Sequence, residues 1–315
     1  MVCVALAGAI AAPAGAQAAF APYPRGVDPA SPNPLAGQHF FVDRRQPAFR
    51  QYRWYRHTHR RRAAKRIWRL AREPKFRWFG RWSHHLRSDV RVYIRRAQHR
   101  HQVPLIVVMR AQAKKCHGGY TGGDRREDSR TRKWYRKFAR AVGRSRVVIG
   151  FEPDSLGTLD CQTKSRRRVR LKLLAYGVRV LSRLSRATIY LEGGASDWEP
   201  ARRTARQLRI IGIRRVRGFM LNVTHFDWTS SNIRHGLQIS RLTGGKHFII
   251  STAFNGRGAL HYRRYFGPHK WRMINVWCHP PRRGLGPRPT TITDHPRVDA
   301  YMWIGRPGFS AGKCN

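Results

Sequence analysis

The chain has 315 residues, enough for one large barrel or two ordinary domains, and its 41% hydrophobic content is enough for a sizeable core. Lys and Arg total 64 against 16 Asp and Glu, a formal net charge of +48 that must attract polyanions such as nucleic acid, anionic lipid or acidic polysaccharide. The arginines run along every candidate helix (Arg60 to Arg62, Arg166 to Arg168, Arg202 and Arg203, Arg214 and Arg215), so the charge reads as a whole-surface property and not as a dedicated nucleic-acid element.

Val2 to Ala12 is small and apolar, and Ala16-Gln17-Ala18 offers a small-x-small cleavage site, so residues 1–18 read as an export signal and the protein as secreted. No later segment reaches the ~18 apolar residues of a membrane span. A Pro/Gly/Ala-rich lead follows over 19–32, and 33–315 reads as one catalytic-size domain, expected to be a monomer. Cys3 leaves with the signal. Cys116, Cys161, Cys278 and Cys314 remain, an even number that suggests two disulfides, with three connectivities open. Their spacing matches no zinc motif, so neither metal nor cofactor is expected.

Gln51 to Arg72 is helix-permissive and very basic. Short apolar runs then recur at Pro104–Met109, Val147–Phe151, Ala187–Leu191, Gly218–Val223, His247–Ser251 and Ala300–Ile304, the length and composition of buried strands. Stretches of helical length separate most of them. Ser165 to Leu184 places Val169, Leu173, Tyr176 and Val180 on one stripe. Such alternation predicts an α/β fold with a parallel sheet, whose chemistry sits at the C-terminal strand ends. The tail from Cys278 to Asn315 is rich in Pro and Gly and is expected to be mostly loop around one last strand.

Acids are scarce, yet they appear just past two strands. Val147–Phe151 runs into Glu152-Pro153-Asp154, and Ala187–Leu191 into Glu192-Gly193-Gly194 with Trp198 beyond; Gly218–Leu221 leads into Asn222. Phe151-Glu152-Pro153-Asp154-Ser155-Leu156 resembles the acid-bearing motif of glycoside hydrolase family 6, the inverting endoglucanases and cellobiohydrolases. Trp78-Phe79-Gly80, Cys116-His117-Gly118-Gly119-Tyr120, Tyr190-Leu191-Glu192-Gly193-Gly194, Asn255-Gly256-Arg257-Gly258, Trp277 to Gly286 and Asp299-Ala300-Tyr301-Met302-Trp303 follow in that family's order. The resemblance spans the whole mature chain. It implies a distorted, incompletely closed parallel (β/α) barrel, TIM-like, with a cleft for β-glucan. It further implies disulfides Cys116–Cys161 and Cys278–Cys314, Asp154 as general acid, sugar contacts at Trp78, Trp198, Trp277 and Asn222, and Thr121 at a water-holding position.

Departures from the family fall on the chemistry. Lys115 stands where the family has the Asp neighbouring its acid, Glu192 replaces the Asp of Tyr-Leu-Asp-Ala-Gly-His, and Ala195 replaces its His. Gly305, Phe309 and Ala311 replace the Lys, Glu and Asp of the C-terminal loop. An ammonium at Lys115 favours the ionised form of Asp154, which cannot donate a proton. Glu192 and Asp197 are the candidates for a base or electrostatic role, and Asp124, Glu127 and Asp128 are read as loop acids. The implied function is secreted hydrolysis of β-1,4-glucosidic bonds in polysaccharide catabolism. The alternative is a catalytically impaired glycan- or cell-wall-binding protein favouring acidic polysaccharides through its basic surface.

Overall fold

The computed structural model describes residues 32–111 and 125–308, apart from positions 266, 268, 269, 277 and 279. Two helices come first, α1 (Pro47–His57) and α2 (Arg61–Ala71). Strands and helices then alternate: β1 (Arg77–Gly80), α3 (Leu86–Gln98), β2 (Leu105–Met109), α4 (Arg125–Val142), β3 (Val147–Phe151), α5 (Lys164–Leu181), β4 (Ala187–Glu192), α6 (Ala201–Ile211), β5 (Gly218–Leu221), α7 (Thr229–Leu242) and β6 (His247–Ser251). A hairpin of β7 (His261–Tyr265) and β8 (Trp271–Asn275) intervenes before β9 (Val298–Met302). Seven strands pair in parallel in the order β1-β2-β3-β4-β5-β6-β9, while β7 and β8 pair only with each other.

The α/β class and parallel sheet are as expected. So is incomplete closure: β1 and β9 share no ladder but approach at their ends. The Phe76 N–H reaches Trp303 O at 3.4 Å, and the Trp78 indole N–H donates to Ile304 O at 2.8 Å. Alternation along each strand divides the core. Leu105, Val107, Val148, Tyr190, Met220 and Ile249 fill the barrel interior, while Ile106, Val108, Ile149, Leu191 and Phe248 face the helices. Because both faces are covered, the strands read as continuous apolar runs.

The structure departs from the sequence reading at one strand boundary, two strands and one helix face. The last strand begins two residues early, at Val298, since Asp299 is drawn into a buried ion cluster (below). β1 is too short to stand out as an apolar run, and β7 is exposed along its whole length, so burial left no imprint on its sequence. The buried stripe of α5 is Arg170, Leu173, Leu174, Gly177, Val178 and Leu181, rotated from the one expected, with Val169, Tyr176 and Val180 only half-buried. Gly177 explains the rotation: a Cβ there would lie 2.6 Å from Phe151 Cζ, so this face packs too close to β3 for any side chain. Among the described residues, no helix is long and apolar enough to cross a membrane.

Candidate active site

The C-terminal ends of β3, β4 and β5 converge on one mouth. Six non-glycine residues among those described have left-handed backbone, and three stand there: Glu152 (φ 55°), Asp154 (φ 62°) and Asn222 (φ 61°). Strain held at strand ends is a mark of a working site, since surrounding structure must over-determine it. The two acids after β3 have separate tasks.

Glu152 is fully buried and structural. Its Oε1 accepts the Arg110 N–H at 2.8 Å and the Tyr135 hydroxyl at 2.7 Å, and its Oε2 accepts the Ala111 N–H at 2.9 Å. It thereby ties the end of β2 to β3. Burial raises its pKa, opposed by those three donors and by the Arg170 charge.

Asp154 is only half-buried. Its Oδ1 accepts the Thr224 hydroxyl from the β5 side at 2.5 Å, and its carbonyl accepts the Thr158 hydroxyl at 2.6 Å. Glu192, at the end of β4, is buried beside it. Burial first, and then the Asp154 carboxylate, push its pKa well above the ordinary carboxylate range. Glu192 Oε1 accepts the Gly194 N–H at 2.8 Å. The Asp154 N–H leans toward the same carboxyl, but Oε2 makes no full hydrogen bond. Glu192 is thus an electrostatic neighbour of Asp154: ionising either carboxyl makes the other harder to ionise.

Asp197 lies farther along the same loop. Burial works against its ionisation, but hydrogen bonds from His225 and Asn275 outweigh it and hold the pKa below the usual value. His225 Nδ1 lies 2.9 Å from Oδ1, and Asn275 Nδ2 donates to Oδ2 at 2.6 Å. The Trp198 ring stacks on His225 at 4.6 Å and 18°, so the imidazole is clamped on its edge and on one face. The same indole lies against Gly157, where a Cβ would approach it to 2.2 Å. One face of Trp198 is therefore spent on His225 and is closed to a sugar ring.

Other expected contacts fall variously. Trp78 is half-buried on the interior side with its N–H engaged. Asn222 is buried and bridges loops, its amide donating to Asp227 O and Ser251 O at 3.1 Å each. Ala195 is buried. Glu127 and Asp128 lie in the first turn of α4 and not on a loop, which corrects that reading. Acids at this end suit the helix dipole, and Arg81, Arg110 and Arg130 all reach Glu127 within 3.2 Å. Thr121, Asp124, Trp277, Lys115, Phe309, Ala311, Cys116 and Cys314 lie outside the described residues.

Sequence reasoning missed Glu199 and His235. Both carboxyl oxygens of Glu199 and Nε2 of His235 are buried without a hydrogen bond, on the wall of a cleft of about 860 Å³ behind the Ser196–Ala201 loop. Burial, then the Asp160 charge, raise the Glu199 pKa to about 7 against the pull of Arg203 and Arg167. No motif marks such a residue; only its burial does. Among the described residues, no group of three or more His, Cys, Asp or Glu could hold a metal ion.

A family-wide sequence profile matches residues 35–315. The chain belongs to the glycosyl hydrolases family 6. It is 30% identical over 287 residues to Endoglucanase A of Cellulomonas fimi, covering 90% of this chain and 58% of that protein. It is 29% identical to Endoglucanase A of Thermobispora bispora, covering 78% and 52%. The chain thus spans little more than half the length of these two relatives. Among solved structures, the family 6 endoglucanase Cel6 from Mycobacterium tuberculosis, in complex with methyl-cellobiosyl-4-deoxy-4-thio-β-D-cellobioside, superposes with a TM-score of 0.77 at 31% identity, covering 89% of this chain and 91% of that one. The curled sheet of parallel strands flanked by helices is that of the family 6 structures.

Proposed function

We propose that this chain is an exported glycoside hydrolase that cleaves β-1,4-glucosidic bonds of a polysaccharide with inversion. The observation that carries the reading is Asp154, held in left-handed backbone past β3, oriented by the Thr224 hydroxyl, with the buried Glu192 carboxyl beside it. Its carboxyl protonates the glycosidic oxygen as the C1–O bond breaks. Water attacks the anomeric carbon from the opposite face and gives up a proton. Asp197, ionised and oriented by His225 and Asn275, is assigned to that proton, and Glu192 to the field around the acid. Residues 33–315 form the catalytic domain behind an export signal (1–18) and a lead (19–32). Cys116–Cys161 and Cys278–Cys314 staple its mouth loops, a pairing supported by the state of the two described cysteines, neither of which is a free thiol.

Purified full-length chain should release reducing ends from soluble cellulose derivatives or mixed-linkage glucan, with the first-formed anomer inverted by NMR. Asp154→Asn should lower the rate by about 10²–10⁴, the usual contribution of general acid catalysis. The second reading, a glycan-binding protein without turnover, is favoured by Lys115, Ala195 and Ala311 at family catalytic positions. It predicts no reducing ends from any neutral or uronic-acid polymer, and binding that survives Asp154→Ala. Under that reading, Lys115→Asp with Ala311→Asp should bring hydrolysis back.

A further inference from the structure

The positive charge is spread along the whole chain but is not even. From Arg44 to Arg72 there are twelve Arg and Lys and no Asp or Glu in 29 residues, whereas the other 286 residues carry a net +36, so this segment is about three times as charged per residue. All twelve side chains are exposed. Among the described residues, none of those from Arg44 to Arg69 has a carboxylate within 4 Å.

The segment is α1 and α2 with their flanks. The two helices pack on each other through Phe49, Tyr52 and Trp68, with ring centroids 4.6 to 6.0 Å apart, which turns the charges outward. Arg44 and Arg53 lie over Phe49, and Arg60 lies 4.8 Å over the half-exposed Trp54, so several guanidinium groups are already oriented. Like charges one turn apart, such as Arg62 with Arg66 and Lys65 with Arg69, repel in the free protein, a cost that a bound polyanion removes. Eleven of the twelve are Arg, whose planar fork matches a carboxylate in two bonds where Lys offers a point charge.

The position of the pair selects the polyanion. The last turn of α2 lies on the seam where β1 and β9 fail to close: Leu70 Cδ1 packs at Gly308, and Lys75 donates to Leu70 O while lying 5.6 Å from the Trp303 ring. These contacts fix the helix pair beside the C-terminal end of β9, one of the strand ends that border the mouth. We infer that α1 and α2 form a docking surface for a carboxylate-bearing polysaccharide chain, continuous with the catalytic cleft. The choice of a glycan over a nucleic acid rests on the cleft reading above; the charged surface itself does not.

The test uses the full chain and two quartets of equal charge change, each checked for native circular dichroism. Arg50→Gln, Arg56→Gln, Arg62→Gln and Arg66→Gln alter the helix pair, and Lys133→Gln, Lys137→Gln, Arg140→Gln and Arg144→Gln alter exposed positions of α4 and just beyond. Binding to polygalacturonate is followed by affinity electrophoresis across a salt series. The helix-pair quartet should weaken binding on the order of tenfold and flatten its salt dependence, with the α4 quartet changing it less than about threefold. Equal losses in both quartets would overturn the surface, as would no loss in either. Tighter binding of single-stranded DNA than of polygalacturonate, lost in the same quartet, would make it a nucleic-acid surface instead. Reducing-end release from a neutral glucan, read on the same preparations, should be unchanged by either quartet. If the wild type releases none, the proposed hydrolysis fails while the binding result still stands.

Discussion

The two ends of the barrel bury acids in opposite ways. At the N-terminal ends of β5, β6 and β9, Asp299 is fully buried and fully answered. Arg217 donates to both its oxygens at 2.8 and 2.9 Å, the Tyr190 hydroxyl at 2.6 Å, and His247 Nδ1 lies at 3.0 Å. Arg297 donates to His247 Nε2 at 3.1 Å, which fixes the ring as the Nδ1–H tautomer. Burial opposes ionisation of Asp299, but these donors together hold its pKa below the ordinary value. At the mouth, Glu192 keeps one oxygen and Glu199 both without hydrogen bonds, and both pKa values rise. A buried acid that only stabilises a fold is saturated with donors; acceptors left empty beside a cleft are stability forgone where a ligand can fill them.

Breaking the bottom cluster should have the largest effect. Asp299→Asn strands the Arg217 charge against a neutral amide and replaces one of the two acceptor oxygens with a donor, so either Tyr190 or His247 loses its acceptor. Urea unfolding at neutral pH should show a loss of about 3–5 kcal/mol, as for other severed buried ion pairs. A loss below about 1 kcal/mol would mean that the cluster is not the anchor its geometry describes.

Glu199 should respond in the opposite direction. Its folded pKa of about 7 exceeds the ordinary 4.5, so between those values the folded chain keeps a proton that the unfolded chain has released. Stability therefore falls as pH rises from about 4.5 to about 7 and is flat beyond. Glu199→Gln should abolish that fall and stabilise the protein at pH 7.5 by about 1–2 kcal/mol, a figure discounted for water in the adjoining cleft. Destabilisation at pH 7.5 would show that the carboxylate has a partner in solution and belongs with Asp299.

This contrast was only half legible in the sequence. The strands were visible because both of their faces are apolar, and Asp154 because a strand, a proline and an acid in that order place a carboxylate at a mouth. Asp299 reads as one more acid in a familiar motif. Its four donors come from β4, β5, β6 and the approaches to them, up to 109 positions away, and no local pattern announces them. Glu199 was hidden for a similar reason: what sets it apart is burial without a hydrogen bond, which only packing reveals. The helix pair was legible as basic, but that its charges all face outward is known only from its packing.

The smallest expected change is the one that best separates the two ends. Thr224→Val removes a single hydroxyl from Asp154 and keeps the side-chain volume. At the bottom, losing one donor to a buried acid destabilises the fold. At the mouth, the half-buried Asp154 exchanges the lost hydroxyl for water, so unfolding should shift by less than about 1 kcal/mol. What should suffer is aim. A hydroxyl donor contributes about 0.5–1.5 kcal/mol of orientation, so kcat on a soluble glucan should fall about three- to tenfold while KM stays within about twofold. Loss of stability with kcat unchanged would place Thr224 and Asp154 in the same class as Arg217 and Asp299, and the mouth would then be held together by its acid more than armed by it.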